Sequence, residues 1–575
     1  MEGSLRYKLI STVPCDDPMR LILRNRGMTD SEIDEWMSGE AALNDPFLYR
    51  NMKRAVQLVN KVMKENGNIW VCVDSDVDGL TSAWTFINYL WCVNPQYVRA
   101  HVKWGFHEGK QHGLVDMMEK IPKGTRLVVC PDSASNDIEQ HKALSDAGVS
   151  VLCLDHHQCD KESPYAVVVN AQIDSFPDKS LTGAGCTYMF CRAYDETYGL
   201  EFADDFIDLA AIGDIADMAD FRVPEIRTIV ALGLSDVRNP LMQAIVRYNE
   251  YSIGRMGGLN YTSVGWYVAP LLNALCRSGT MEEKERVFRA GLSRYADVMT
   301  ESTKRGHRGE RVPLADEAVL LLTRVRDRQT QMIDRAMADI GDLSENAHKI
   351  VVCQVSDDEV SGNVFGLVAN KIQSMTGHPT LVVREQDGVL SGSARNVAHC
   401  DIPNMRSTLL GTHLFELCAG HESAFGVRLP AKNLDEVLRA TDRIYADVSL
   451  GGTYQVDFEW SEPNVSAQTI LAIARHRGWW GQQLERPLIA VKDVSLSSAN
   501  VSFLSPDKHP TIKITLRNGV EVMKFRSSRE EYESFISQNS VGTFVCTAAS
   551  NEWNGSVRPQ LIVEDFDVKH DTWIF

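Results

Sequence analysis

The chain has 575 residues, 44% hydrophobic and 24% charged, enough for three or four domains and ordinary for a globular protein in water. A net charge of −18 argues against a protein that coats duplex DNA by bulk electrostatics, although a local cationic channel stays compatible with it, as do aspartates that hold metals. No apolar leader follows Met1-Glu-Gly-Ser4 and no span of about 20 apolar residues occurs, so secretion and membrane insertion are not indicated and a cytoplasmic protein is expected.

The 13 cysteines include no Cys-x-x-Cys pair, and Cys72, Cys130 and Cys153 sit in strand-like runs, which predicts reduced, buried thiols. Residues 1–66 read as a helical segment. Asp45-Pro46 supplies a cap and a first-turn proline, and Met52, Val56, Val59 and Met63 recur at helical spacing. Residues 67 to about 225 alternate strand and helix, the pattern of a parallel sheet with right-handed crossovers. Asn68–Val73 predicts a buried strand; Asp74, Asp76 and Asp78 follow it, Gly79 permits a turn, and Thr81–Leu90 has the composition of a helix. An acidic turn whose aspartates bond their own backbone and cap the helix would read the same way.

Two further strands end on polar groups: residues 126–132 on Asp132, and residues 149–157 on Asp155-His156-His157. A fourth apolar run, Leu209-Ala-Ala-Ile-Gly-Asp214-Ile-Ala-Asp217, again closes on acids. In an open parallel sheet, ligands bind beyond the carboxyl ends of the strands. Aspartates gathered there repel one another unless cations neutralise them, which points to a metal cluster. Oxygen ligands with one or two imidazoles suit Mn²⁺ or Mg²⁺. Two such ions, about 3.5–4 Å apart, activate water for in-line attack on phosphorus.

Asp-x-Asp-x-Asp-Gly, a second strand-end Asp, Asp-His-His and Gly-x-Ile-Ala-Asp, in this order, resemble the four motifs of the DHH phosphoesterase superfamily. Within it the chain resembles the RecJ single-strand exonucleases from near Arg26-Gly27 to about residue 568. The resemblance implies an α/β architecture: a helical segment (1–66), a parallel-sheet DHH catalytic domain (67–280), connecting helices (281–345), a DHH-associated α/β substrate domain (346–450) and a C-terminal OB-like β-barrel (451–575). On this reading Asp76, Asp78, Asp132, His156 and Asp217 hold the two ions, Asp74 stands adjacent, and Asp132 bridges. His157 orients a phosphate or protonates the leaving oxygen. The Gly-rich turn Thr182–Thr187 is expected to be a packing element.

Within residues 265–279, Asn273 and Arg277 lie four apart on one helical face. The segment resembles the RecJ Pro-x-x-Asn-Ala-x-x-Arg motif, which implies that Arg277 contacts a phosphate, a role its planar fork suits. Residues 281–345 look helical, with Leu322, Val325, Met332, Ile333 and Ala336 as a stripe. Lys304, Arg305, Arg308 and Arg311 around His307 read as a solvated loop rather than a DNA track. Gly392-Ser393-Ala-Arg395-Asn396 and Ala419-Gly420-His421 resemble substrate-domain elements, which implies that Ser393, Arg395 and His421 hold the nucleic-acid backbone. Where RecJ enzymes carry an arginine before a Gly-Tyr-Gly-Leu turn, this chain has Lys103-Trp-Gly-Phe-His107-Glu-Gly-Lys110-Gln-His112-Gly-Leu114, so Lys103, His107 or Lys110 would have to recognise a 5′-phosphate. Residues 451–575 are strand-rich with Asn518-Gly519 and Asn554-Gly555 turns, the signature of a small antiparallel barrel. Trp553 reads as barrel packing or as a platform for a base.

The resemblance thus implies a metal-dependent 5′→3′ exonuclease of DNA repair and recombination, acting on single-stranded DNA as a monomer, with a single-strand-binding protein or a helicase as protein partner. A DHH nanoRNase or cyclic-dinucleotide phosphodiesterase shares the motifs without needing the barrel. An inorganic pyrophosphatase lacks the Arg277 region, and a non-catalytic replication scaffold would have lost ligands that are present here.

Overall fold

The computed structural model describes all residues except 1–4, 14, 40–42, 110, 160, 174, 344–346, 398–399, 403, 449, 451, 538–539, 554 and 571–575. Two compact units divide it. One holds residues 1–34, 333–477 and 485–575, and the other residues 35–332 and 478–484.

The N-terminal stretch is not wholly helical, because strand β1 (Tyr7–Leu9) precedes its helices Pro18–Asn25, Asp30–Ser38 and Met52–Lys64. The predicted stripe Met52, Val56, Val59 and Met63 is buried in the last of these. Asp45 caps a short 3₁₀ turn, Pro46–Leu48, rather than that helix.

The second unit is built on five parallel strands: β2 (Asn68–Val73), β3 (Val102–Phe106), β4 (Thr125–Pro131), β5 (Ser150–Asp155) and β6 (Val167–Asn170), in the order β3-β2-β4-β5-β6. Runs of consecutive buried residues in β2, β4 and β5 mark strands covered on both faces. The chain goes from β2 outward to β3 and returns to β4 on the other side, so the topological switch lies at the carboxyl ends of β2 and β4, where Asp74 and Asp132 emerge. The helix Val77–Val93 is buried on all sides from Val77 to Leu90 and packs on the helices Gly183–Tyr198 and Ile207–Ala216. The fourth apolar run is therefore a helix, and it presents Asp217 at its C-terminal end. Residues 281–345 are interrupted: between the helices Met281–Ala290 and Leu314–Ile340, strands β7 (Met299–Glu301) and β8 (Arg311–Pro313) form a hairpin that carries the basic segment.

In the first unit β9 (Val351–Gln354), β10 (Thr380–Gln386), β11 (Val389–Arg395), β12 (Leu417–Gly420) and β13 (Ala424–Pro430) make a mixed sheet, ordered β12-β13-β11-β10-β9, over a core that includes Leu381, Val383, Leu390, Phe425 and Leu429. Strand β14 (Tyr454–Val456) pairs in parallel with β1. Arg26 grips the buried Asp457 with both terminal nitrogens, at 2.8 and 3.0 Å, a fork that ties the N-terminal residues to the C-terminal region. Strands β15 (Phe458–Ser461), β16 (Leu488–Leu496), β17 (Val501–Leu504), β18 (Thr511–Thr515), β19 (Glu521–Phe525), β20 (Ser540–Trp553) and β21 (Ser556–His570) complete a seven-stranded sheet. It is mixed rather than antiparallel, since β15–β16 and β19–β21 run parallel. Trp553 ends β20, and its side chain lies outside the described residues. All 13 cysteines are free. No helix among the described residues is long and apolar enough to cross a membrane.

Candidate metal centre

The site forms where β2, β4 and β5 stop. Past β2, Asp74 is buried, and Asp76 turns extended (φ −145°) so that its carboxylate caps the next helix through the Gly79 N–H at 2.9 Å. Both readings of the acidic turn thus hold at once, because Asp76 caps while Asp78 points inward from the first helical turn, fully buried. Beyond β4, Asp132 takes a left-handed backbone (φ +66°), a conformation that is uncommon for a non-glycine residue and clusters at functional sites. Beyond β5 come Asp155, His156 and His157.

These side chains are brought together. His156 Nε2 lies 3.2 Å from Asp132 Oδ1, 3.4 Å from Asp217 Oδ2 and 3.8 Å from Asp78 Oδ2. Three groups have ligand atoms close enough to hold an ion: Asp74, Asp76 and Asp132; Asp78, His156 and Asp217; and Asp132, His156 and His157. Asp132 belongs to two of them. Both Asp132 oxygens, Asp74 Oδ1 and His156 Nε2 are buried without a hydrogen-bond partner. Such atoms are costly to bury unless something binds them, so the donor set fits hard divalent cations. The electrostatics agree. Burial, then the neighbouring carboxylates, push Asp132 far above the usual carboxylate range, and the same two causes raise Asp217 to about 8.

A ring of supporting groups sets each ligand. Asp78 accepts from Gly183 N at 2.7 Å, Ala184 N at 2.9 Å and Thr182 Oγ1 at 2.9 Å, so the Gly-rich turn at 182–187 is a packing element that orients a carboxylate. A Cβ at Gly183 would stand 2.3 Å from Asp132 Cβ, and one at Gly79 would stand 2.5 Å from Asp74 Cβ, so both turns need glycine to let the aspartates through. Asp155 is missing from the sequence-derived site. It accepts the His157 Nδ1 proton at 2.8 Å and the Ser135 N–H at 3.0 Å. Burial alone would raise Asp155, yet its bonds from His157 and Ser135 hold it well below the usual carboxylate range. Burial opposes charge on His157 too, but Asp155 raises it, which fixes the tautomer and leaves Nε2 as the working nitrogen.

His112 is a second site residue that the sequence pattern does not mark. Its Nδ1 lies 2.8 Å from Asp74 Oδ2, its ring centroid is 4.3 Å from that of His157, and against the effect of burial Asp74 raises it to about 9. The three expected phosphate readers fare differently. His107 is fully buried, 2.9 Å from Asp116, with Nε2 3.6 Å from both Cys72 Sγ and Asp74 Oδ1, so it backs Asp74 from inside the protein and is closed to a strand end. Lys103 is exposed but stands beside Trp70 near the start of β3, well short of the carboxyl edge. Lys110 lies outside the described residues. His112 is the group from that segment that both touches Asp74 and stays open to solvent.

Arg277 and Asn273 share the helix Ala269–Ser278, which packs on Val77–Val93. Burial lowers the Arg277 pKa while the Asp76 carboxylate acts against that, so the guanidinium sits within the field of the cluster. Ser393, Arg395 and His421 belong to the other unit. Ser393 and Arg395 lie on β11 opposite Gly426 and Ala424, and His421 occupies the β12–β13 turn, its N–H bonded to Ala424 O, so all three share one end of that sheet.

Residues 68–213 match the DHH family, N-terminal domain, and residues 456–565 the RecJ OB domain. The chain is 30% identical, over 98% of either length, to the putative SPbeta prophage-derived single-strand DNA-specific exonuclease YorK of Bacillus subtilis. It is 25% identical to the single-stranded-DNA-specific exonuclease RecJ of the same organism, over 92% of this chain and 64% of that one. Among solved structures, RecJ in complex with Mn²⁺ from Thermus thermophilus matches all of this chain and 81% of its own, with a TM-score of 0.71 at 18% identity.

Proposed function

Because the chain belongs to the RecJ family of DHH phosphoesterases, we propose that it is a metal-dependent exonuclease that degrades single-stranded DNA in the 5′→3′ direction to mononucleotides. The observation that carries this reading is the set of unpartnered, buried ligand atoms on Asp74, Asp132 and His156 at the switch point of the sheet. Asp76, Asp78, Asp132, His156 and Asp217 would hold two Mn²⁺ or Mg²⁺ ions, Asp132 belonging to two of the candidate ligand groups and Asp74 standing alongside. When bound, the ions supply a nucleophile from water and Lewis-acid stabilisation of the leaving oxygen.

The rest of the chemistry belongs to the protein. Asp155 engages His157 Nδ1 and so leaves Nε2 free, where His157 holds a proton for the leaving oxygen or a phosphate oxygen. His112, charged beside Asp74, adds a second positive group for phosphate, and Arg277 grips phosphate oxygens with Asn273 on the same helical face. Ser393, Arg395 and His421 hold the sugar–phosphate backbone. The enzyme acts as a monomer in the cytoplasm, on strands exposed by a helicase or presented by a single-strand-binding protein.

The test offers 5′- and 3′-labelled single strands, blunt duplex, dinucleotides and pyrophosphate in Mn²⁺ and in Mg²⁺. Mononucleotides released first from the 5′ end, with duplex resistant, are expected. Equal rates on single strand and blunt duplex, or exclusive cleavage of dinucleotides, would overturn the reading.

A further inference from the structure

The basic segment that reads as a solvated loop is a built hairpin. Strands β7 and β8 pair Met299 with Pro313, Thr300 with Val312 and Glu301 with Arg311, and Ser302 N–H to Glu310 O (2.8 Å) and Gly309 N–H to Ser302 O (3.1 Å) carry the ladder into the turn. Gly306 (φ +85°) and Gly309 (φ +81°) supply the left-handed positions that so tight a tip requires. Its base is anchored on Glu317, a fully buried carboxylate that accepts the Thr303 N–H at 3.0 Å, while Arg324 donates to Thr303 Oγ1 at 2.7 Å.

Two acids at the hairpin are engaged, Glu310 with His307 at 3.1 Å and Asp316 with Arg247 at 2.8 Å, and Glu301 shares a register position with Arg311 in the ladder. Lys304, Arg305 and Arg308 are exposed and form no ion pair or side-chain hydrogen bond among the described residues. Three unspent cations, held outward on a chain of net charge −18, call for an anionic partner. Beside them lies a cavity of about 350 Å³ lined by Lys304, Tyr248 and three acids that already have partners, Glu310 with His307, Asp316 with Arg247 and Glu317 with Thr303, and Tyr248 is 51% exposed. Cations that neutralise phosphates next to an aromatic face are the two parts of a single-strand site, since duplex DNA keeps its bases stacked and offers the ring nothing.

We infer that the β7–β8 hairpin and Tyr248 form an accessory binding site for single-stranded nucleic acid, in which Lys304, Arg305 and Arg308 contact backbone phosphates and Tyr248 stacks on a base. This rests on the proposed exonuclease reading and adds to it a site outside the metal centre, one that engages only strands long enough to reach it.

The test measures binding of a fluorescent long oligothymidine and of a blunt duplex to the full chain in chelator, across a salt series. Each phosphate contact on a single strand contributes about 0.7 to the slope of log K against log salt, so Lys304→Ala/Arg305→Ala/Arg308→Ala should lower the slope by about 2. Affinity at low salt should fall about tenfold or more. Arg305→Lys/Arg308→Lys should retain the slope, because charge rather than fork geometry is used. Tyr248→Ala should weaken binding of the single strand at least about fivefold and leave duplex binding unchanged. An unchanged slope in the triple variant overturns the site, and a Tyr248→Ala loss equal on strand and duplex overturns the stacking role. Wild-type protein that neither binds nor degrades a single strand would contradict the proposed function itself, a result distinct from either.

Discussion

The carboxyl edge of the β2–β4–β5 sheet and the β11–β13 end of the other sheet both carry polar side chains from strand ends, yet they hold them in different ways. At the first, side chains are fixed by other buried groups: Asp78 by three donors, His157 by Asp155, His112 by Asp74, and Asp132 on a strained backbone. At the second, His421 is exposed on a turn and held by its backbone, and the half-buried Arg395 donates to the backbone oxygen of Ala394 at 2.7 Å. Fixed geometry suits the reacting phosphate, where small displacements lose rate, whereas a tolerant surface suits a backbone that must slide past. The difference predicts that substitutions at the first edge lower kcat and those at the second raise KM.

The largest expected effect is at Asp132. Asparagine tolerates the left-handed backbone, so Asp132→Asn should fold, while losing at least about 100-fold in kcat, about 2.7 kcal/mol of transition-state stabilisation. In chelator near neutral pH the same variant should melt at a higher temperature than wild type, because the native chain no longer has to keep protonated a buried carboxyl that ionises freely when unfolded. Retention of more than about a tenth of kcat, a loss under about 1.4 kcal/mol, would remove Asp132 from the chemistry.

Next comes Asp155→Asn. Its amide cannot accept from both His157 and Ser135 as the carboxylate does, so kcat should fall about 10–100-fold, with the limb of the pH–rate profile assigned to His157 displaced toward lower pH. A melting shift without a change in the pH profile would make Asp155 purely structural.

Arg395→Ala should sharpen the contrast from the other side. Losing one charge-assisted phosphate contact removes about 1.5–3 kcal/mol of binding, so KM on a long strand should rise about tenfold or more with kcat nearly unchanged. A fall in kcat alone would erase the distinction between the two edges.

The smallest effect is expected at Trp553, at the end of β20. If the ring stacks on a base, Trp553→Ala raises KM on long strands by a factor of about 5 or more and spares dinucleotides. A lowered melting temperature with unchanged KM would assign it to packing.

The strand ends are legible in the sequence because continuous apolar runs stop abruptly at Asp74, Asp132 and Asp155, and three such stops in succession are more than helix capping alone requires. What supports them is less legible. Nothing local marks Asp132 for φ +66°, and His112 sits in a loop without periodicity, its partner Asp74 being 38 residues upstream. Strand β1 is only 3 residues long and finds its partner near the far end of the chain, a pairing no local pattern encodes. The hairpin at 299–313 hides because its strands are equally short and its tip reads as charge without structure. Fold, in short runs, is decided by tertiary partners rather than propensity.

The most direct test of the central claim is calorimetric titration of Mn²⁺ into the wild-type chain and into Asp132→Asn. Wild type should bind two ions per chain, with at least one of them lost or bound about 10–100-fold more weakly in the variant. Equal stoichiometry and affinity in both would contradict that claim.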